Sequence, residues 1–258
     1  HFKTKSLKGF GVDHLTHGIV AAGVVLHYLS DTQHRQLQHI NTLQRIAEEE
    51  HIWMDRFTIR NLELYHSNNQ NAVTLLDVID KTISPMGGRM LKRWLALPLK
   101  NIEKIRRRHQ VITHLTENEA AHQKLQSGIK LIGDLERLIS KVATGKINPK
   151  EVVQLKNSLE AIVPIKQITT KSKNEALSLI GDQLHTCDML RSKIKEMVSE
   201  EAPVNMLKGS TIAKGYSAEL DELRGLAFSG KDYLDKMLER ETQRTGISSL
   251  KIASNNVF

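Results

Sequence analysis

Tyr216, Leu220, Leu223, Ala227, Gly230, Leu234 and Met237 follow one another at spacings of 4, 3, 4, 3, 4 and 3, in a stretch that opens Tyr216-Ser217-Ala218-Glu219-Leu220-Asp221-Glu222-Leu223-Arg224. Alternating threes and fours keep an apolar line on one side of an α-helix, whereas a half-buried strand alternates by two. The spacing predicts a helix over 216–243, roughly 42 Å long at 1.5 Å per residue. That is about twice an average globular helix, so the segment reads as an arm or a bundle member packed along its length on a partner. Gly230 falls on the seam, where the missing side chain lets a partner helix come close. The seam sets the fold class: all-α in the main.

Helix signals recur upstream. Asp13 is the expected N-cap of a helix over 14–29 with Leu15, Ile19, Ala22 and Leu26 on one stripe. Thr74 with Asp77 three residues on forms a variant of the capping box. Ser84-Pro85 starts another helix, in which Met86, Met90, Trp94 and Leu97 recur at helical spacing until Pro98 stops it, with Met86, Met90 and Trp94 the expected core anchors. Asn101 caps a helix through Ile105, Ile112 and Leu115. Asn148-Pro149-Lys150-Glu151 combines a cap, a first-turn proline and a carboxylate at the third position, ahead of Val152, Leu155, Leu159 and Ile162. Strand is expected in a small β-hairpin near 43–54, where the apolar runs 43–46 and 52–54 flank Glu48-Glu49-Glu50, and again at Ser249-Leu250-Lys251-Ile252.

Composition narrows the class. The 258 residues carry 37 basic and 29 acidic side chains, a formal charge of +8, and are 40% hydrophobic, enough apolar material for a core. The longest nearly apolar run, 19–29, covers 11 positions, short of the roughly 20 that a spanning helix needs, so no membrane role is expected. A single cysteine, Cys187, cannot close an internal disulfide, which points to a reducing compartment, the cytoplasm, and to a small apolar role for that side chain. The chain begins at His1 and reads as a piece of something longer. Charge is concentrated: residues 86–109 hold eight basic side chains against one acid, and 216–241 hold four against seven acids.

Chemistry is harder to find. Thr144-Gly145-Lys146-Ile147 has the Gly-Lys pair of a phosphate loop, but Ile147 stands where Ser or Thr must hold magnesium and Ser140 where the first glycine must turn. His14 with His17, and His185 beside Cys187, fall short of the three or four convergent ligands that zinc requires. Cys187 has no nucleophile signature, and no triad can be assembled from spacing. Catalytic, cofactor-binding and metal residues are therefore expected to be none. Arg106-Arg107-Arg108 is the one candidate for a polyanion, yet consecutive helical positions point about 100° apart and cannot all face one strand.

One stretch carries a resemblance. Thr82-Ile83-Ser84-Pro85-Met86-Gly87-Gly88-Arg89-Met90-Leu91-Lys92-Arg93-Trp94-Leu95 is similar to the core-domain signature of the MutS family of bacterial DNA mismatch repair proteins. Arg60-Asn61-Leu62-Glu63-Leu64, Gly133-Asp134-Leu135-Glu136-Arg137, the stretch from Gly215 to Arg224 and that from Glu239 to Gly246 resemble further family segments in family order. Ala253-Ser254 departs from a family habit of glycine followed by an aromatic. The resemblance implies the end of a connector domain and a linking helix over 1–38, a helical core over 39–205, and over 206–258 a lever helix leading into a DNA clamp that is itself missing. It also implies a non-catalytic role: mechanical coupling of an ATPase to the clamp. ATP and magnesium would bind outside this chain. The implied partners are mismatched double-stranded DNA, a second copy in a homodimer and a MutL-type protein. The alternative is a helical nucleic-acid-binding or adaptor module unrelated to repair, motivated by the basic stretch.

Overall fold

The structure, a computed structural model, describes residues 1–251 apart from Lys5, 33–36, Ala47, Gln70 and Lys208, and describes only the backbone of Glu48 and of 226–232. Among the described residues the elements are α1 (Thr16–Asp31), α2 (Arg56–Asn61), α3 (Leu75–Ile79), α4 (Pro85–Ala96), α5 (Ile102–Glu117), α6 (Glu119–Lys130), α7 (Leu135–Ala143), α8 (Pro149–Thr170), α9 (Glu175–Gln183), α10 (Asp188–Met197) and α11 (Ala218–Thr245).

The helix starts follow local chemistry. Ser84 accepts from Gly87 N at 3.1 Å, Asn101 from Lys104 N at 3.0 Å, and Asn148 and Glu151 exchange bonds of 3.0 and 3.2 Å in a full capping box. Thr74 and Asp77 close a second full box at the start of the short α3. Asp13 is not a cap: Leu15 N bonds back to Val12 O at 2.9 Å, the buried Val12 anchors that turn, and α1 begins only at Thr16.

Helix α8 is the axis of the core. It packs against α6, α7, α9 and α10, and α5 lies across α6 and α9. Leu138, Leu155, Leu159 and Ile162 form the buried cluster, with Ile132, Leu135, Leu184 and the half-buried Cys187 against it. A helix covered on so many sides buries residues round much of its circumference, including Val153, Ala161, Ile165 and Thr169. Glycines set the closest approaches. A Cβ at Gly181 of α9 would stand 2.6 Å from the Thr170 backbone nitrogen, and one at Gly128 of α6 would stand 2.8 Å from Ile165 Cγ1.

The expected hairpin near 43–54 does not form, and no strand occurs among the described residues. Glu48–Glu50 is a 3-10 turn, and His51 instead makes an isolated antiparallel bridge with Leu99. Ile52 N donates to Pro98 O and Lys100 N to Glu50 O, both at 2.8 Å. Pro98 ends α4 and frees an extended stretch whose backbone groups reach this edge before 43–46 can. The last expected strand fares no better: 248–249 is a turn, and Ile252 lies outside the described residues.

Helix α11 runs 28 residues, capped by Ser217, which accepts from Leu220 N at 3.3 Å, and stopped by Gly246 in the left-handed region at φ 71°. Its foot is fastened. Val198 and Ile212 form a second isolated bridge, Arg224 donates to Ile212 O at 2.9 Å, and Asp221 holds both Arg224 at 3.1 Å and Gly215 N at 2.6 Å. The seam above is open: Leu223, Leu234 and Met237 are 57%, 46% and 38% exposed. Ala227 and Gly230, the centre of the seam, belong to the stretch whose side chains lie outside the description.

Candidate functional site

The signature stretch builds one corner of the molecule. Asp80 accepts from Thr82 N at 3.0 Å and from Thr82 Oγ1 at 2.6 Å, which turns the threonine over the first turn of α4. A Cβ at Gly88 would lie 3.3 Å from Thr82 Oγ1 and one at Gly87 3.1 Å from Ser84 Oγ, so the glycine pair leaves room for the threonine and the cap. One turn later Arg89 donates to Asp134 through Nη1 at 2.9 Å and Nη2 at 2.7 Å, and through Nε to Glu136 at 2.8 Å. Gly133, beside them, donates its N–H to the buried Ser158 of α8 at 3.0 Å. Two segments read separately in the sequence thus meet and dock together on the axis helix. The Arg89 guanidinium holds the Asp134 carboxyl below the usual aspartate range.

Part of the basic stretch is taken up by such contacts. Lys104 binds Glu50 at 2.6 Å, Arg106 lies 3.5 Å from Glu103, and Arg108 stacks with its guanidinium carbon 3.5 Å from the centroid of the Trp94 ring. Arg107 is exposed. The three consecutive arginines therefore diverge, as the 100° step requires, and form no continuous footprint.

The expected core anchors of α4 are displaced outward. Met90 is 55% and Trp94 42% exposed, and with Met86, Arg93 and Arg108 they line a cleft of about 560 Å³ bounded by His51 and Glu136. Helical spacing identified the stripe correctly, but α7, the element covering α8 that meets α4, does so at Arg89 and leaves Met90 and Trp94 exposed. Glu136 and His51 carried no local signal.

Thr144-Gly145-Lys146 is a helix stop. Gly145 takes φ 67°, and Lys146 N bonds back to Lys141 O at 2.8 Å. Among the described residues no group of three or more His, Cys, Asp or Glu side chains is arranged to hold a metal ion, and no helix is long and apolar enough to cross a membrane.

The signature stretch lies inside a match to a known family. The model of the family MutS domain III matches residues 57–252. All 258 residues align with the DNA mismatch repair protein MutS of Christiangramia forsetii at 67% identity, with that of Flavobacterium psychrophilum at 60% and with that of Parabacteroides distasonis at 50%. The chain spans 30% of the length of each of these relatives. Nothing in the fold or in these matches supports a module unrelated to repair. With the Arg89 corner, the helical core around α8 and the match over 57–252 in agreement, the chain belongs to the MutS domain III family.

Proposed function

We propose that this chain is the non-catalytic core and lever region of a mismatch-repair ATPase, and that it couples a nucleotide site and a DNA clamp, both outside these residues. The supporting observation is α11: 28 residues of helix, fastened to the core at Ile212 and Asp221 and projecting with its apolar seam open. A stiff rod held at one end turns a small rotation at its foot into a larger displacement at its tip. Two sites that bias the same element are coupled reciprocally in free energy. Residues 1–38 belong to a preceding connector domain and linker, 39–205 to the core and 206–258 to the lever. Helix α1 supports that division, since Val20, Val24 and Tyr28 stand 61%, 62% and 65% exposed and need a second domain's core to cover them. The whole protein then binds mismatched double-stranded DNA, uses ATP with magnesium, pairs with a second copy and with a MutL-type protein, and works in the cytoplasm.

The test places Leu234→Pro in the protein extended to its relatives' full length. Proline inside a helix costs about 3 kcal/mol and breaks the rod. ATP and DNA should each still bind while ATP ceases to change DNA affinity, and Leu234→Ala should leave the coupling in place. Undiminished coupling in the proline variant would overturn the lever.

A further inference from the structure

Trp94 is one of two tryptophans in the chain, and it stands at the surface with Arg108 laid against its ring. Around it the cleft has an apolar floor of Met86, Met90 and Leu97 and a cationic edge of Arg93 and Arg108. Among the described residues neither Arg93 nor Arg108 is paired with a carboxylate, in contrast to Arg89, whose charge is answered by Asp134 and Glu136. An exposed aromatic beside unbranched, adaptable methionines and free guanidinium donors is the composition of an interface core, and the volume is that of a pocket for one or two side chains.

We infer that this cleft docks an acidic segment of a partner protein, with one apolar side chain seated between Met90 and Trp94 and its flanking carboxylates on Arg93 and Arg108. Charge and shape select that occupant. A nucleic-acid backbone offers phosphates but no aliphatic group for the methionine floor. The neighbouring cations that would extend a phosphate track, Lys104 and Arg106, are turned to Glu50 and Glu103. An acidic peptide needs only two bidentate arginine contacts and one anchor, which the cleft supplies. The site does not draw on the lever: its lining comes from α4, α5, α7 and the 51 and 97 positions, and none of it from α11.

The experiment uses fluorescence anisotropy of a labelled glutamate-rich peptide with a central leucine. The companion probes are the same peptide with leucine replaced by glycine, the same peptide with glutamates replaced by glutamines, and a short DNA duplex. With Trp53→Phe as background, Trp94 emission reports occupancy directly. The leucine peptide should bind saturably and shift Trp94 emission. Arg93→Glu and Met90→Glu should each weaken it at least about tenfold, and Arg107→Glu, the same charge reversal off the cleft, should not. Both changed positions are exposed, and Arg93→Gln, with an unchanged helical circular-dichroism signal, serves as the milder variant. Equal binding of the glycine peptide, indifference to Arg93→Glu, or DNA binding lost through the same substitutions would each overturn the inference. So would a peptide that binds these 258 residues but not the longer protein, since the occupant would then be the protein's own chain.

Discussion

Arg89 of α4 grips Asp134, the residue that caps α7, through two parallel hydrogen bonds of 2.9 and 2.7 Å. The same carboxylate accepts from Arg137 N at 3.2 Å, so one side chain both starts a helix and ties it to another helix 45 positions earlier. A fork of this geometry specifies orientation as well as contact, which a lysine cannot reproduce.

Asp134→Asn keeps an acceptor for the cap but loses the charge, whereas Asp134→Ala loses both. The alanine variant should be the less stable of the two, by about 1 kcal/mol, the usual worth of an N-cap. Arg89→Lys should lower the melting temperature of the natural sequence and have a smaller effect in the Asp134→Asn background, where of the two carboxylates that Arg89 binds only Glu136 remains. Thermal melts of the natural sequence, the three single variants and the Arg89→Lys/Asp134→Asn double variant check this; strict additivity in the double variant would contradict it.

Acid should unfold the protein by removing these ion pairs. Asp134 beside Arg89, Glu151 beside Lys141 and Asp188 beside Arg191 all have folded pKa values below their ordinary ones. The unfolded chain, with carboxyls near about 4, therefore takes up protons first as the pH falls. The stabilisation is complete above that unfolded value and is lost as the pH drops through the folded values. Urea melts at decreasing pH should show a falling midpoint below about pH 4, with a shallower fall in Asp134→Asn.

Glycine substitutions should split by site. Gly181→Ala must push against the Thr170 backbone nitrogen and Thr169 Oγ1, each 2.6 Å from the new carbon, and should destabilise by about 2 kcal/mol or more. Gly225→Ala on α11 meets nothing within 4 Å and should stabilise by up to about 1 kcal/mol through helix propensity. Denaturant midpoints for the two variants should move in opposite directions.

Lys156 of α8 is buried to 5% exposure and paired with the far more exposed Glu200. Glu200→Gln leaves a buried ammonium without its counter-charge and should cost about 1–2 kcal/mol. Lys156→Met, which fills the same space without a charge, should be near neutral. A methionine variant less stable than the glutamine variant would show that the pair itself, rather than the stranded charge, carries the stability.

Helix identity was legible because its causes are local. Ser84, Asn101, Asn148 and Ser217 each cap a helix through a bond to an amide three residues on, and Gly246 stops α11 through its own backbone conformation. The seam likewise located a 28-residue helix to within two positions. The signature residues of the site were visible too, but not what they do. Arg89 reads as one more positive charge until Asp134 is beside it. The Met90 and Trp94 stripe reads as core until the placement of α6, α7, α9 and α10 around α8 leaves it outside. The 50–52 edge reads as half of a hairpin until Pro98 and Lys100 arrive to take its hydrogen bonds. Caps and periods depend on atoms within a turn or two of chain, so the sequence by itself determined them. Which apolar face is covered, and which carboxylate meets which cation, depends on surfaces brought together from tens of residues apart, and only the tertiary structure decided that.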